Sequence, residues 1–154
     1  FFEGGKAVAS DGHAIIVASL EEISDLQPDS VEKLNGKYLH SQAFRKILDY
    51  KYIDKIDDEG IIVSNGNNCF SVKFLFAKLE CGYPDYKKVI ANIKDEKSID
   101  KKVRIDPRQL IALCKCVNDY QPIIERTSNT SPMTIRWKGL ETVAYLTTFC
   151  LPDR

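Results

Sequence analysis

Two stretches of this 154-residue chain share a layout that narrows the possible folds more than any other feature. The first is Lys37-Tyr38-Leu39-His40-Ser41-Gln42-Ala43-Phe44-Arg45-Lys46-Ile47-Leu48. The second is Lys102-Val103-Arg104-Ile105-Asp106-Pro107-Arg108-Gln109-Leu110-Ile111-Ala112-Leu113-Cys114. Each opens as a short strand around Leu39 or Ile105, meets a helix cap and enters an amphipathic helix. The expected caps are Ser41 in the first, and Asp106 with Pro107 at the first helical position in the second. Ala43, Phe44, Ile47 and Leu48 share one helical face, and Leu110, Ile111, Leu113, Cys114 and Val117 share the other.

Strand signals follow each helix. After the first come Gly60–Ser64 and Cys69–Leu79, joined by the turn-forming Asn65-Gly66-Asn67-Asn68. After the second come Ile123–Thr127, Met133–Lys138 and Thr142–Phe149. A β-α-β-β-β unit is therefore expected twice. One copy alone leaves its helix and sheet faces uncovered, so the pair is expected to pack as a single α+β domain spanning 1–154. In that reading the helices lie on one side of curved antiparallel sheets. Residues 1–93 form the first half, with an N-terminal hairpin and an acidic connector at 21–36 containing one helical turn. Residues 94–154 form the second half, entered through a charged link at 94–102.

Composition excludes whole classes. An apolar fraction of 44% with 29% charged residues is that of a globular chain, and 22 basic residues balance 22 acidic ones. The balance is uneven, because residues 1–36 hold two lysines against seven acids. No apolar run reaches membrane-spanning length and no signal-peptide pattern opens the chain, so a cytoplasmic location is expected. The five cysteines form no Cys-x-x-Cys, and most sit in apolar runs, as reduced buried thiols do. Cys114 and Cys116 would diverge on a helix, a poor start for a zinc site. No metal or cofactor is expected.

Three stretches remain. Ala9-Ser10-Asp11-Gly12-His13-Ala14-Ile15 sets an Asp-Gly turn and a histidine before an apolar run. Gly82-Tyr83-Pro84-Asp85-Tyr86-Lys87-Lys88-Val89 reads as a turn with aromatic anchors. Leu151-Pro152-Asp153-Arg154 closes the chain. On the residues alone, the first admits a hairpin corner, or a general base in which Asp11 orients His13. No nucleophile motif or phosphate loop accompanies the second possibility. His40, just ahead of a helix, suits a capping or surface role.

Taken in order, these stretches resemble the bacterial DNA polymerase beta sliding clamp family. That family carries "ATDGHRL" like residues 9–15, "FPDYRRV" like residues 83–89, and an "MPMR"-like tail like residues 151–154. The strand-helix blocks between them fit as well. The chain departs from the pattern in length, which suffices for little more than one of the clamp's three domains. It also departs at Ala14, where the family has arginine, and at Asp153, where it has methionine.

The resemblance implies a non-enzymatic docking platform of DNA replication or repair. Its peptide pocket would comprise Gly12, His13, Ile15, Pro84, Lys88, Val89, Leu151, Pro152 and Arg154. Gly12 would permit close backbone approach, and Ile15, Val89 and Leu151 would form apolar walls. Pro84 and Pro152 would stiffen them, while His13, Lys88 and Arg154 hydrogen-bond the peptide. Its partners would be clamp-binding peptides of polymerases or repair proteins, with a homo-oligomer and double-stranded DNA as further expectations. Arg45, Lys46, Arg108 and Lys115 would face DNA phosphates. A solvated helix face predicts the same charges. The alternatives are a stand-alone adaptor that binds such peptides without encircling DNA, and a small enzyme using Asp11 and His13.

Overall fold

The computed structural model describes residues 1–66, 70–79, 83, 85–94, 103–125, 132–146 and 149–150 of the chain. The architecture is α+β, with antiparallel sheets and a few helices, and the chain divides into two compact units. Unit 1 takes residues 1–7 and 24–83, and unit 2 takes 8–23 and 84–154.

Unit 1 opens with β1 (Phe2–Glu3) paired to the start of β2 (Lys6–Ser10). Where one helical turn is expected in the acidic connector there are two helices, α1 (Leu20–Ile23) in unit 2 and α2 (Pro28–Leu34) in unit 1. Pro28 sits in the first turn of α2, where its missing N–H is harmless, and Leu34 is buried. The helix α3 (Ser41–Ile47) forms where its pattern places it. Its cap is one residue earlier than expected: His40 Nδ1 accepts from Gln42 N at 3.3 Å, and Ser41 is already helical. The strand expected around Leu39 does not form. Residues 37–40 are unladdered, and are tied to distant parts of the unit by bonds from Phe2 N to Lys37 O at 3.0 Å and from Ala77 N to Tyr38 O at 2.8 Å.

Three strands follow α3 as a meander: β4 (Tyr52–Ile56), β5 (Gly60–Ser64) and β6 (Ser71–Leu75). β4 escapes a period-two reading because the register slips between Ile53 and Lys55, leaving Asp54 as an extra residue. That slip puts Ile53 and Ile56 on the same face as Ile61, Val63, Val72 and Phe74. Val63 and Ile56 are buried there, and the Tyr50 ring meets Phe74 edge-on. The expected apolar face of α3 is only partly covered: Ile47 is buried, but Leu48 is 68% exposed.

Unit 2 carries β3 (Ala14–Ser19), α4 (Tyr86–Lys94), β7 (Val103–Arg104) and α5 (Pro107–Val117). Then come β8 (Ile123–Glu125), β9 (Met133–Arg136), β10 (Val143–Leu146) and β11 (Phe149–Cys150), the last paired with β7. The sheet order from β3 is β3-β10-β9-β8. Opposed residues in antiparallel pairs share a face, so Ala14, Ile16, Ile135, Ala144 and Leu146 line one side. α5 packs there with Leu110, Leu113, Cys114 and Val117, and Trp137 completes the core. Its helix is bounded as its residues demand. Asp106 accepts from Arg108 N at the start, and Asn118 turns left-handed (φ 52°) at the end. Among the described residues no helix is long and apolar enough to cross a membrane.

Candidate functional site

The Ser10–His13 stretch is a hairpin corner between β2 and β3, built largely from its own polar groups. Asp11 Oδ1 accepts from His13 N at 2.9 Å and from Ala14 N at 2.8 Å. Ser10 Oγ accepts from Gly12 N at 3.1 Å, and Asp11 N donates to Ala14 O at 3.4 Å. Gly12 adopts φ +87°, where a side chain would be strained. The Asp11 carboxylate therefore serves the backbone of its own turn, as turn aspartates commonly do. Gly12 and His13 project at the exposed tip. Ile15 is half-buried and lies opposite Tyr145, on the sheet face away from α5.

Burial works to raise the Asp11 pKa, but the N–H groups of His13 and Ala14 outweigh it and hold the carboxyl below its ordinary value. A lowered pKa means the folded state favours the charged form. The corner's contribution to stability is thus complete above the ordinary carboxylate pKa and is lost as pH falls through the lowered value. Asp11→Ala is expected to destabilise the chain by about 0.5–1.5 kcal/mol at neutral pH. Asp11→Asn, which keeps an acceptor oxygen, should recover most of that loss and flatten the acid limb. Urea midpoints measured across acid and neutral pH for both variants check it.

The second stretch begins a helix and not merely a turn. Asp85 accepts from Lys88 N at 3.0 Å, the bond of an N-terminal cap, and Tyr86 opens α4 with its side chain buried. The signal was present, since Tyr86, Val89, Ile90 and Ile93 stand at helical spacing. Lys88 is exposed on this helix, and Val89 is 44% exposed. Of the nine pocket residues implied by the resemblance, Pro84, Leu151, Pro152 and Arg154 lie outside the described residues.

The four cations expected to face phosphates divide between two helices. Arg45 and Lys46 stand exposed in the last turn of α3, and Lys115 likewise in the last turn of α5. Arg108 is engaged differently. Its Nε donates to Asp106 Oδ1 at 3.1 Å and its Nη2 to Asp106 Oδ2 at 2.8 Å, a forked pair. The Arg108 guanidinium holds the Asp106 carboxyl below its ordinary value, and Asp106 in turn raises Arg108. Cys114 is buried and Cys116 exposed, so the two thiols part company on α5, and burial pushes the Cys114 pKa up. Among the described residues, no three His, Cys, Asp or Glu side chains gather as metal ligands would.

No family model, no curated protein and no solved structure matches this chain.

Proposed function

We propose that the chain is a non-enzymatic, sliding-clamp-like docking platform for short peptide motifs of replication or repair proteins. One observation carries this reading. Leu146, the last residue of β10, lies directly opposite Ala14, the residue after His13. The Asp-Gly-His corner, α4 and β10 all belong to unit 2, although Gly12 and Lys88 are far apart in sequence. Nothing local requires that grouping, and a pocket that draws on both the corner and α4 does. Support also comes from the repeated order of one helix followed by a three-stranded antiparallel meander, α3-β4-β5-β6 and α5-β8-β9-β10. Exposed Val89 offers an apolar contact, and Lys88 a charge for a peptide's acidic groups.

A fluorescent peptide of the clamp-binding class, titrated against the full chain, tests the reading. Saturable binding is expected. Leu151→Ala should weaken it at least about tenfold, the equivalent of one buried apolar anchor. His13→Ala should have a smaller effect, that of a hydrogen bond at the rim. A wild-type chain that never saturates would overturn the proposal.

A second reading keeps the platform and removes the DNA. It is favoured by the Arg108–Asp106 fork, which leaves α5 with Lys115 as its one cation free of that pairing, and by the chain's even charge balance. Retention on duplex DNA at low salt separates the two. If Arg45, Lys46, Arg108 and Lys115 touch phosphates, retention should collapse with added salt and disappear when all four become glutamate. A chain that is not retained at all is the adaptor.

A further inference from the structure

We infer that Asn65 is a site of spontaneous deamidation, selected by the fold over the chain's other Asn-Gly sequence. An asparagine followed by glycine can close a five-membered imide, because glycine leaves the attacking backbone nitrogen unhindered. The chain has two such sequences, Asn35-Gly36 and Asn65-Gly66, and a chemically related Asp11-Gly12.

The two asparagines match at the electrophile. Asn35 Oδ1 accepts from Gly4 N at 2.9 Å, and Asn65 Oδ1 accepts from Lys51 N at 3.1 Å. Each backbone N–H draws density from the side-chain carbonyl and would steady the oxyanion that forms on attack. They differ at the nucleophile. Gly36 N donates to Phe2 O at 2.8 Å, so that bond must break before the nitrogen can turn on Asn35. Among the described residues, nothing accepts from Gly66 N. Asp11-Gly12 resembles the protected case, since Gly12 N donates to Ser10 Oγ. Its carboxylate is also a poor electrophile while ionised.

Position 66 keeps its glycine for structural reasons. Its φ is +81°, and an added Cβ would lie 2.6 Å from Cε2 of Tyr52. The reactive pair is therefore built into the approach to the β5–β6 connection, where both residues are exposed.

The step balances without any co-reactant but water. A base takes the Gly66 N–H proton, and the nitrogen lone pair attacks Asn65 Cγ. The new C–N bond forms as the Cγ–Nδ2 bond breaks, and Nδ2 leaves as ammonia after taking up a proton. Water then opens the imide at either carbonyl, giving aspartate or isoaspartate. The isoaspartate lengthens the backbone by one methylene just after β5, and both products place a negative charge beside Lys51.

The test is an incubation of the full chain at mildly alkaline pH, followed by trypsin and mass spectrometry. Cleavage after Lys33, Lys37, Lys55 and Lys73 puts Asn35 and Asn65 in separate peptides, 34–37 and 56–73. In the folded chain the 56–73 peptide should convert about tenfold faster than 34–37, the effect of one retained hydrogen bond on the Gly36 nitrogen. In concentrated urea the two rates should approach each other. Asn65→Gln should abolish the early conversion of 56–73, which separates Asn65 from Asn67 and Asn68. Equal rates in the folded chain, faster conversion at Asn35, or an undiminished signal in Asn65→Gln would each overturn the assignment.

Discussion

Trp137→Ala is expected to destabilise unit 2 by about 3–5 kcal/mol, a large share of the 5–15 kcal/mol that holds an ordinary domain folded. The indole is 2% exposed and packs with Leu113, Cys114, Ile135, Ala144 and Leu146, so truncation leaves a cavity between α5 and the sheet. It also removes a bond, because Trp137 Nε1 donates to Asp119 O at 3.1 Å just beyond the end of α5. Trp137→Phe separates the two contributions. It retains most of the apolar volume and loses the donor, so its cost should fall well below that of alanine. Urea titrations followed by circular dichroism measure both. As the chain's sole tryptophan, Trp137 also reports the wild-type transition by its own fluorescence. An alanine variant within about 1 kcal/mol of wild type would show that the ring is not a core element.

Glu22→Ala should follow at about 1.5–3 kcal/mol, although Glu22 looks like an ordinary surface acid. Its carboxylate accepts from Glu141 N, from Thr142 N at 3.2 Å and from Thr142 Oγ1 at 3.0 Å. Thr142 is 1% exposed, so removing the acceptor strands a buried N–H and a buried hydroxyl. The short helix α1 is thereby tied to the turn before β10, across nearly the whole sequence. Thr142→Val in the Glu22→Ala background should return part of the loss, because one stranded group is gone. Additive losses in that double-mutant cycle would mean the two residues act independently.

The parts legible in the chain were those decided within a few residues. α5 could be placed from Asp106, Pro107 and its apolar stripe, since a helix closes its bonds four residues away and its cap is adjacent. The hairpin corner was legible for the same reason, its acceptors being Ser10 and Asp11 themselves. Misreadings followed from the same locality. α4 carried a helical pattern that its Tyr-Pro-Asp-Tyr start disguised as a turn. β4 lost its alternation to one bulged residue, Asp54. Ser41 yields the cap to His40, for which a capping role is also one reading of the sequence, because an imidazole nitrogen can accept as a hydroxyl does. Exposure was less readable than periodicity: Phe44 and Leu48 sit on the predicted apolar face of α3, yet both remain largely open.

Tertiary structure alone decided which strands meet. By chain order Val8–Ile23 belongs with the residues that follow it, but β3 pairs with β10, so that segment joins unit 2. A strand presents the same N–H and C=O edge whatever its neighbours in sequence. Its partner is chosen by which apolar faces can be buried together, here those of Ala14 and Ile16 with Ala144 and Leu146 under α5. The grouping of the Asp-Gly-His corner with α4 and β10 depends on that choice. Local propensity builds each of these pieces, and only long-range burial sets them in one unit.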